Sequence, residues 1–176
     1  MKDPIVQIGA LILREKAKPI AKKDFGTKSL KTLIAKMKKS LVKEKYGVAI
    51  AAPQVGASVR LFVVAGRAFD EEEEAGGGGD EKIKSKMPDK VFINPELIRV
   101  SRKKKEMSEG CLSVRGKYGA VVRHEKASVK AYDEAGNQFI YHGSGLLAHI
   151  FQHEVDHLDG ILYIDKAAKL TDDPNV

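Results

Sequence analysis

The chain has very little cysteine and no long apolar run. Its 176 residues include one cysteine, so no disulfide can form within the chain, and a reducing compartment is favoured. No stretch approaches the roughly 20 apolar residues of a transmembrane helix. The first residues, 1–4, lack the apolar run and small-residue cleavage site of a secretory signal. We therefore expect a cytoplasmic protein without a membrane span.

Aromatic side chains are also scarce among the basic residues. The formal net charge is +7, a balance that can attract nucleic acid or another anionic surface. However, aromatic residues do not interleave with the lysines, and no nucleic-acid motif is present. We interpret the lysines as solvated surfaces, although their charge would suit work near ribosomal RNA.

The length and the absence of internal repeats favour one domain that covers residues 1–176 and buries a real core. One segment differs in composition from the rest. Residues 70–90 combine a run of glutamates, four consecutive glycines and scattered charges, with almost nothing to bury. This composition predicts a mobile surface loop, and an acidic site for a partner is the alternative.

Hydrophobic periodicity predicts helices near both ends of the chain and strands between them. Leucine, isoleucine and methionine recur at helical spacing over 27–45, where Thr27 or Ser29 can cap the start. A second helix is expected from about 146 to 158, with Ser144 as its cap. Strands are expected at 60–65, 91–93 and 97–100, and a hairpin at 127–133 and 138–141. This order predicts an α+β fold with antiparallel sheet.

The second helix carries a sequence pattern typical of metal sites. His153 and His157 are four residues apart, so both imidazoles share one helix face and can bind one metal ion. A tetrahedral site needs a further protein ligand, and the thiol of Cys111 is the obvious candidate. The alternatives are two surface histidines and a small buried cysteine. Apolar residues that precede His153, and Gly110 beside the cysteine, argue against them.

A Cys/His/His site with a position for water is a hydrolase site. A metal lowers the pKa of bound water from about 15.7 towards about 7. Glu154 would take the proton from this water and pass it to the leaving amine. A thiolate ligand would make the site sensitive to oxygen if the metal were ferrous.

A third segment, residues 47–54, consists mostly of small residues and ends at Gln54. Small side chains allow close packing against another chain or a ligand, and an amide N–H of Gln54 can stabilise an oxyanion. By itself the segment is equally consistent with a tight strand end that has a polar exit.

Together the three segments, in this order, resemble the peptide deformylases. The chain reads GVAIAAPQ over 47–54, EGCLS over 109–113 and QHEVDHLDG over 152–160, and the similarity covers about residues 5–165. The resemblance implies an enzyme that removes the formyl group from N-formylmethionyl nascent peptides and releases formate. It also implies mixed or antiparallel sheets around a central metal-bearing helix.

The resemblance further implies a role for each matching residue. One divalent ion, typically Fe²⁺ with Ni²⁺, Co²⁺ or Zn²⁺ as substitutes, would be held by the thiol and the two histidines. Glu154 would be the acid/base, and the Gln54 side chain with the Leu112 backbone N–H would hold the oxyanion. Glu109 and Arg123 would form a supporting ion pair. The substrate would contact positions matching the family's methionine pocket and backbone groove, namely Val48, Ala49, Gly110, Leu146 and His149.

Three residues depart from the family pattern: Ala49 for a glycine, Arg115 for a proline, and His149 for an apolar residue. A methyl at Ala49 could crowd the substrate backbone, and Arg115 could make the loop over the cleft looser and more cationic. His149, His153 and His157 form one helical row of roughly 12 Å. Because one ion cannot easily reach both ends, we interpret His149 as a pocket wall. Longer relatives have a basic C-terminal helix that is linked to ribosome docking, and we expect this helix to be missing here. Any contact with the ribosome surface is then expected to be transient.

Two other functions remain open at this stage. A His-Glu-x-x-His metallopeptidase usually takes a further histidine or glutamate downstream as its third ligand, and none follows His157. A deformylase-like protein could instead bind metal or formyl peptides with little turnover. The identity of the metal, the preference after methionine and the oligomeric state do not follow from the sequence.

Overall fold

The computed structural model describes residues 4–73 and 87–172. Its helices are α1 (Lys28–Lys43), α2 (Gly66–Glu73) and α3 (Gly145–Leu158). The strands are β1 (Ala49–Ala51), β2 (Leu61–Val64), β3 (Lys90–Val100), β4 (Lys104–Cys111), β5 (Val114–His124), β6 (Lys126–Tyr132), β7 (Gln138–Ser144) and β8 (Leu170–Asp172). Within these residues, no helix has both the length and the apolar character needed to cross a bilayer.

The strands form two antiparallel sheets. One has the order β1-β2-β3-β6-β7 and the other the order β4-β5-β8. Together with the helices they confirm the predicted α+β class. All pairings between these strands are antiparallel, and an isolated bridge between Lys18 and Val59 is the one parallel contact within residues 4–73 and 87–172.

Helices cover both faces of the larger sheet. Phe62 and Val64 point into a core shared with α3, whereas Leu61 and Val63 point into a core shared with α1. All four side chains are fully buried. A strand covered on both faces has no polar positions, and this explains why β2 is a continuous apolar run rather than an alternating one.

The predicted first helix is confirmed by α1, which begins one residue after its cap. The Thr27 hydroxyl accepts a hydrogen bond from the Leu30 N–H. Leu30, Ile34, Met37 and Leu41 are buried against β1 and β2, which is the expected packing face. The lysines lie on the other side of the helix.

The two strands expected at 91–93 and 97–100 are one strand, β3. Asn94 and Pro95 do not end it, because the irregularity there is a register shift between Ile93 and Glu96. Asn94 adopts a positive φ of 49°, and its side-chain amide pairs with the backbone N–H and C=O of Ile20. The prediction of a strand end was wrong because a bulge, like a turn, uses Asn and Pro.

The second sheet was not predicted. Most residues of β4 are exposed, so this strand lacks the alternation of apolar and polar residues that reveals a half-buried strand. It is held instead by its long pairing with β5. The prediction of one loop over 70–90 also needs correction, because 70–73 form the end of α2. Residues 74–86 lie outside the described part of the chain.

The helix α3, which carries His153 and His157, lies against strands of both sheets. Gly143 of β7 allows this approach, since a β-carbon there would lie 2.7 Å from the Phe151 ring. Gly143 and Ser144 are the last two residues of β7, and α3 begins directly after them. Ser144 does occupy the N-cap position of α3, but its side chain makes no capping hydrogen bond. Packing from both sides, rather than a cap, positions the helix.

Candidate active site

The helix α3 presents different residues to the two sheets. Leu147, Phe151 and Leu158 are fully buried in the core under the larger sheet. His153 and His157 lie on the other side of the helix, near the point where β4 ends at Cys111. The long β4–β5 hairpin therefore brings the thiol to two histidines that lie more than 40 residues later in the chain.

Three potential ligand atoms converge at this point. The Cys111 Sγ lies 3.2 Å from His157 Nε2, and one atom from each of Cys111, His153 and His157 lies within 4.8 Å of the others. Such a set of one thiolate and two imidazoles can hold a tetrahedral metal ion and leave a position for water. His149 is not part of this group.

A buried carboxylate orients the histidines. Glu109 Oε2 lies 2.9 Å from His153 Nδ1, and its Oε1 lies 3.3 Å from His149 Nδ1. Because an ionised carboxylate only accepts hydrogen bonds, each imidazole places its proton on Nδ1. In neutral His153 the Nε2 lone pair is then available to a metal, which is the usual role of a carboxylate behind a ligating histidine.

Arg123 compensates the charge of Glu109. Its guanidinium donates to both Glu109 oxygens and, over 2.8 Å, to Asp156 Oδ2. Burial alone would raise the pKa of Glu109, but hydrogen bonds from His149, His153 and Arg123 lower it far below its usual range. The resemblance thus placed this ion pair at residues that the structure brings together.

The pKa of the Cys111 thiol is lowered, whereas the pKa of the neighbouring Glu154 is raised. Burial would raise the pKa of Cys111, but the charge of His157 and hydrogen bonds from both histidines lower it well below the usual value. Burial raises the pKa of Glu154, whose side chain is 4% exposed. Its Oε2 has no hydrogen-bond partner among the described residues. A thiolate ligand and a carboxylate that readily accepts a proton suit metal-assisted hydrolysis.

The side-chain amide of Gln54 is held in one orientation. Its Oε1 accepts a hydrogen bond of 2.8 Å from the Ala51 N–H, so its Nε2 is directed to Ser113 Oγ at 3.1 Å and Cys111 Sγ at 3.4 Å. Leu112 lies between these partners in sequence, and its carbonyl accepts from the Gln7 side chain at 3.1 Å. The amide of Gln54 therefore reaches Cys111, one member of the group of potential ligands.

A cleft of about 600 Å³ contains these groups. Its lining includes the reactive residues Gln54, Cys111, His153 and Glu154, with Leu112 beside them. All five residues expected to contact substrate also line it: Val48, Ala49, Gly110, Leu146 and His149. Gly110 approaches Tyr118 so closely that an added β-carbon would lie 2.7 Å from the ring. Ala49, where the family pattern has a glycine, is 8% exposed in this wall.

Two departures from the family pattern have clear structural partners. Arg115 is the second residue of β5 and makes a bidentate ion pair with Glu44, with distances of 2.9 and 3.1 Å, so the start of this strand is tied to the end of α1. This differs from the looser loop that the sequence suggested. His149 is 3% exposed, lines the cleft as expected of a pocket wall, and bonds to Glu109.

Several residues at the site were missed by sequence reasoning. Ser113 and Asp156 lie inside the recognised motifs, so their positions were a usable signal for roles beside Gln54 and Arg123. Glu44 and Tyr118 also line the cleft, but no local pattern marks them. They are brought there by long-range packing alone.

A partly buried Cys/His/His group beside a buried glutamate, in a largely apolar cleft, defines the class of metal-dependent hydrolases. The family model described as polypeptide deformylase matches residues 2–173. The chain belongs to this family, and its reaction is removal of the formyl group from the N-terminus of newly made peptides.

Individual relatives agree with this assignment. A peptide deformylase of Carboxydothermus hydrogenoformans is 40% identical over 167 residues, which cover 93% of this chain and 91% of the relative. One of Halothermothrix orenii is 39% identical over 173 residues, which cover 95% and 96%. The Met-Ala-Ser-bound class I type b enzyme from Acinetobacter baumannii superposes with a TM-score of 0.77 at 32% identity, covering 93% and 96%. These matches give no support to the metallopeptidase alternative.

Proposed function

We propose that Cys111, His153 and His157 hold one divalent metal ion, and that Glu154 is the acid/base of the deformylation. The observation that carries this proposal is the convergence of three ligand atoms within 4.8 Å, beside a buried carboxylate. Turnover, rather than peptide binding alone, is favoured because Glu154 Oε2 has no hydrogen-bond partner among the described residues. This oxygen is therefore available to accept a proton from water.

The donor set fits a metal ion of intermediate softness. The thiol has a lowered pKa and is ready to act as a thiolate, while Glu109 keeps the proton of His153 on Nδ1. Thiolate and imidazole ligands suit iron, cobalt, nickel and zinc rather than magnesium or calcium. We propose Fe²⁺ as the native ion. When bound, the metal polarises the formyl oxygen and lowers the pKa of water to about 7.

Glu154 would accept the proton of the attacking water. Burial raises the pKa of its carboxyl group, so the carboxylate binds a proton more readily than an exposed glutamate does. The same carboxyl group then donates this proton to the amine of methionine as the formyl C–N bond breaks. The products are formate and a peptide with a free N-terminus.

The negative charge that develops on the formyl oxygen needs fixed donors. We assign this role to the Gln54 Nε2–H and the backbone N–H of Leu112. The orientation of Gln54 is set in advance by its bond to the Ala51 N–H, so little reorganisation is needed during the reaction.

The methionine side chain would lie in the part of the cleft formed by Val48, Leu146 and His149, with Ala49 and Gly110 beside the substrate backbone. The Acinetobacter baumannii relative has been solved with Met-Ala-Ser bound, which supports a peptide of this kind as the occupant here. Since formylated chains are made in the cytoplasm by ribosomes, we propose that the enzyme acts there, with transient contact to the ribosome surface.

Replacing Cys111 with serine is expected to lower bound metal by more than about tenfold, because a hydroxyl is a much weaker ligand than a thiolate for these ions. Wild-type and variant protein are prepared without oxygen in the presence of Fe²⁺ or Ni²⁺. Metal content is measured by plasma mass spectrometry, and formate release from formyl-Met-Ala-Ser is followed. Ser108→Ala, an exposed change on the same strand, serves as the matched control.

Equal metal content in the Cys111→Ser variant and wild type would remove the thiol from the ligand set. A wild-type protein that holds metal and releases no formate would instead favour a binding protein with little turnover.

Replacing Gln54 with leucine is expected to lower kcat by about 10²–10³-fold, the usual effect of losing one oxyanion donor. The change keeps a side chain of similar size but removes both hydrogen-bonding atoms. Formate release under saturating formyl-Met-Ala-Ser measures kcat, and metal content is determined on the same samples. Unchanged kcat with full metal occupancy would contradict the assignment of Gln54.

A further inference from the structure

The cleft has a closed inner end and an open rim. Glu154 and Gln54 lie at the inner end and are almost completely buried. Lys45, Arg115 and Lys117 also line the cleft, and all three are exposed. A peptide whose formyl group reaches Glu154 must therefore leave the cleft past these three side chains.

The rim carries a net positive charge. Lys45 follows α1 on one wall, whereas Arg115 and Lys117 belong to β5 on the opposite wall. Glu44 is the acidic residue at the rim, and it is paired bidentately with Arg115 across the two walls. The other acidic residue that pairs with a rim cation, Asp172, is 86% exposed and bonds Lys117 over 2.8 Å.

The carboxylates deeper in the cleft do not cancel this charge at the rim. Glu109 is buried and compensated by Arg123 and by hydrogen bonds from two histidines. Glu154 lies beside the two imidazoles of the ligand group. Because Arg115 is paired with Glu44 and Lys117 with Asp172, the excess positive charge that a substrate side chain would meet at the rim is that of Lys45.

The length of an extended peptide determines which of its residues lie at the rim when the formyl group lies beside Glu154. An extended peptide advances about 3.3–3.5 Å per residue. If methionine fills the apolar part of the cleft, the next two residues pass the exposed rim. We propose that the rim of Lys45, Arg115 and Lys117 makes formyl peptides with an acidic second or third residue better substrates than peptides with a basic residue there. This inference rests on the proposed placement of the formyl group at the metal ligands.

The test compares four peptides: formyl-Met-Ala-Ser, and the same peptide with Glu, Gln or Lys at the second position. Wild type is expected to show a kcat/KM about five- to tenfold higher for Glu than for Lys, with Gln between them, as for a partly screened contact between one pair of opposite charges. The preference should shrink in 0.5 M NaCl, because salt screens exposed charges.

Two charge-reversal variants distinguish an effect of the rim residues on substrate preference from an effect of the protein's net charge. Lys45→Glu is expected to remove or reverse the preference for Glu over Lys. Lys31→Glu changes the net charge equally, but it lies about 20 Å away along α1 and should retain the preference. Lys45→Gln removes the charge without reversing it and should reduce the preference for Glu over Lys. Melting curves verify that each variant is folded.

Equal kcat/KM for the Glu and Lys peptides in wild type, with normal turnover of formyl-Met-Ala-Ser, would overturn the role of the rim. The same preference in the Lys45 and Lys31 variants would also overturn it, since net charge would then be the cause. No formate from the neutral peptide would mean that the proposed function itself has failed.

Discussion

Glu154→Gln is expected to lower kcat for formyl-Met-Ala-Ser by about 10³-fold while the protein keeps its metal. Removing a positioned acid/base usually costs about 10²–10⁴-fold. An amide of the same shape cannot accept the proton of water or return it to the leaving amine. The effect should be this large because the other carboxylate in the cleft, Glu109, is held by Arg123 and His153 and has a pKa far below its usual range, so it cannot take over the proton transfer.

Formate release and metal content are measured on the same anaerobic preparations. Glu106→Gln, an exposed change on β4, is the matched control and should leave both quantities unaltered. A Glu154→Gln enzyme that holds a full complement of metal and retains more than about a tenth of the wild-type kcat would exclude Glu154 as the acid/base. A loss of metal would instead assign the residue to the ligand set.

Arg123→Ala is expected to lower the free energy of unfolding by about 3–5 kcal/mol, the usual cost of breaking a buried ion pair from one side. The Arg123 side chain is 3% exposed and Glu109 8%, so the carboxylate would remain buried without its main countercharge. Asp156 would also lose a hydrogen bond of 2.8 Å. Urea unfolding of the wild type and the variant, both in chelator, measures the difference without a contribution from metal binding.

The control for this experiment is Lys38→Ala, which removes an exposed partner of Glu134. Such pairs contribute less than about 1 kcal/mol, so its midpoint should stay close to that of the wild type. If Arg123→Ala has no larger effect than Lys38→Ala, the network behind the histidines does not stabilise the fold. Metal affinity of the Arg123 variant is expected to fall as well, because Glu109 would no longer be held in place to orient His153.

Local pattern was sufficient for the parts of the fold where one face is buried. The helices α1 and α3 and the β6–β7 hairpin were predicted close to their observed bounds, because each has an apolar stripe or an alternation that packing then uses. The sheet of β4 and β5 was not predicted. Its strands are stabilised by pairing with each other, and backbone hydrogen bonds leave no trace in side-chain composition.

The bulge in β3 shows a second limit. Asn94 and Pro95 are typical of a turn, yet the chain continues because the Asn94 amide bonds to Ile20, a residue 74 positions away. Arg115 is a similar case. Its residue type suggested a looser loop over the cleft, whereas Arg115 lies in β5 and Glu44 at the end of α1 provides a bidentate partner that no local pattern reveals.

The residue types and their spacing were enough to indicate the chemistry of the site. The spacing of His153 and His157, the single cysteine and the neighbouring Glu154 point to a metal-dependent hydrolase, because these side chains have few other uses in combination. How the thiol and the two imidazoles meet, and how they are held, depends on the folded chain. The meeting of Cys111 with α3, the four hydrogen-bonded contacts of Glu109, and the basic rim all join residues far apart in sequence. Such contacts depend on the packing of two sheets around one buried helix, and residue order alone does not encode them locally.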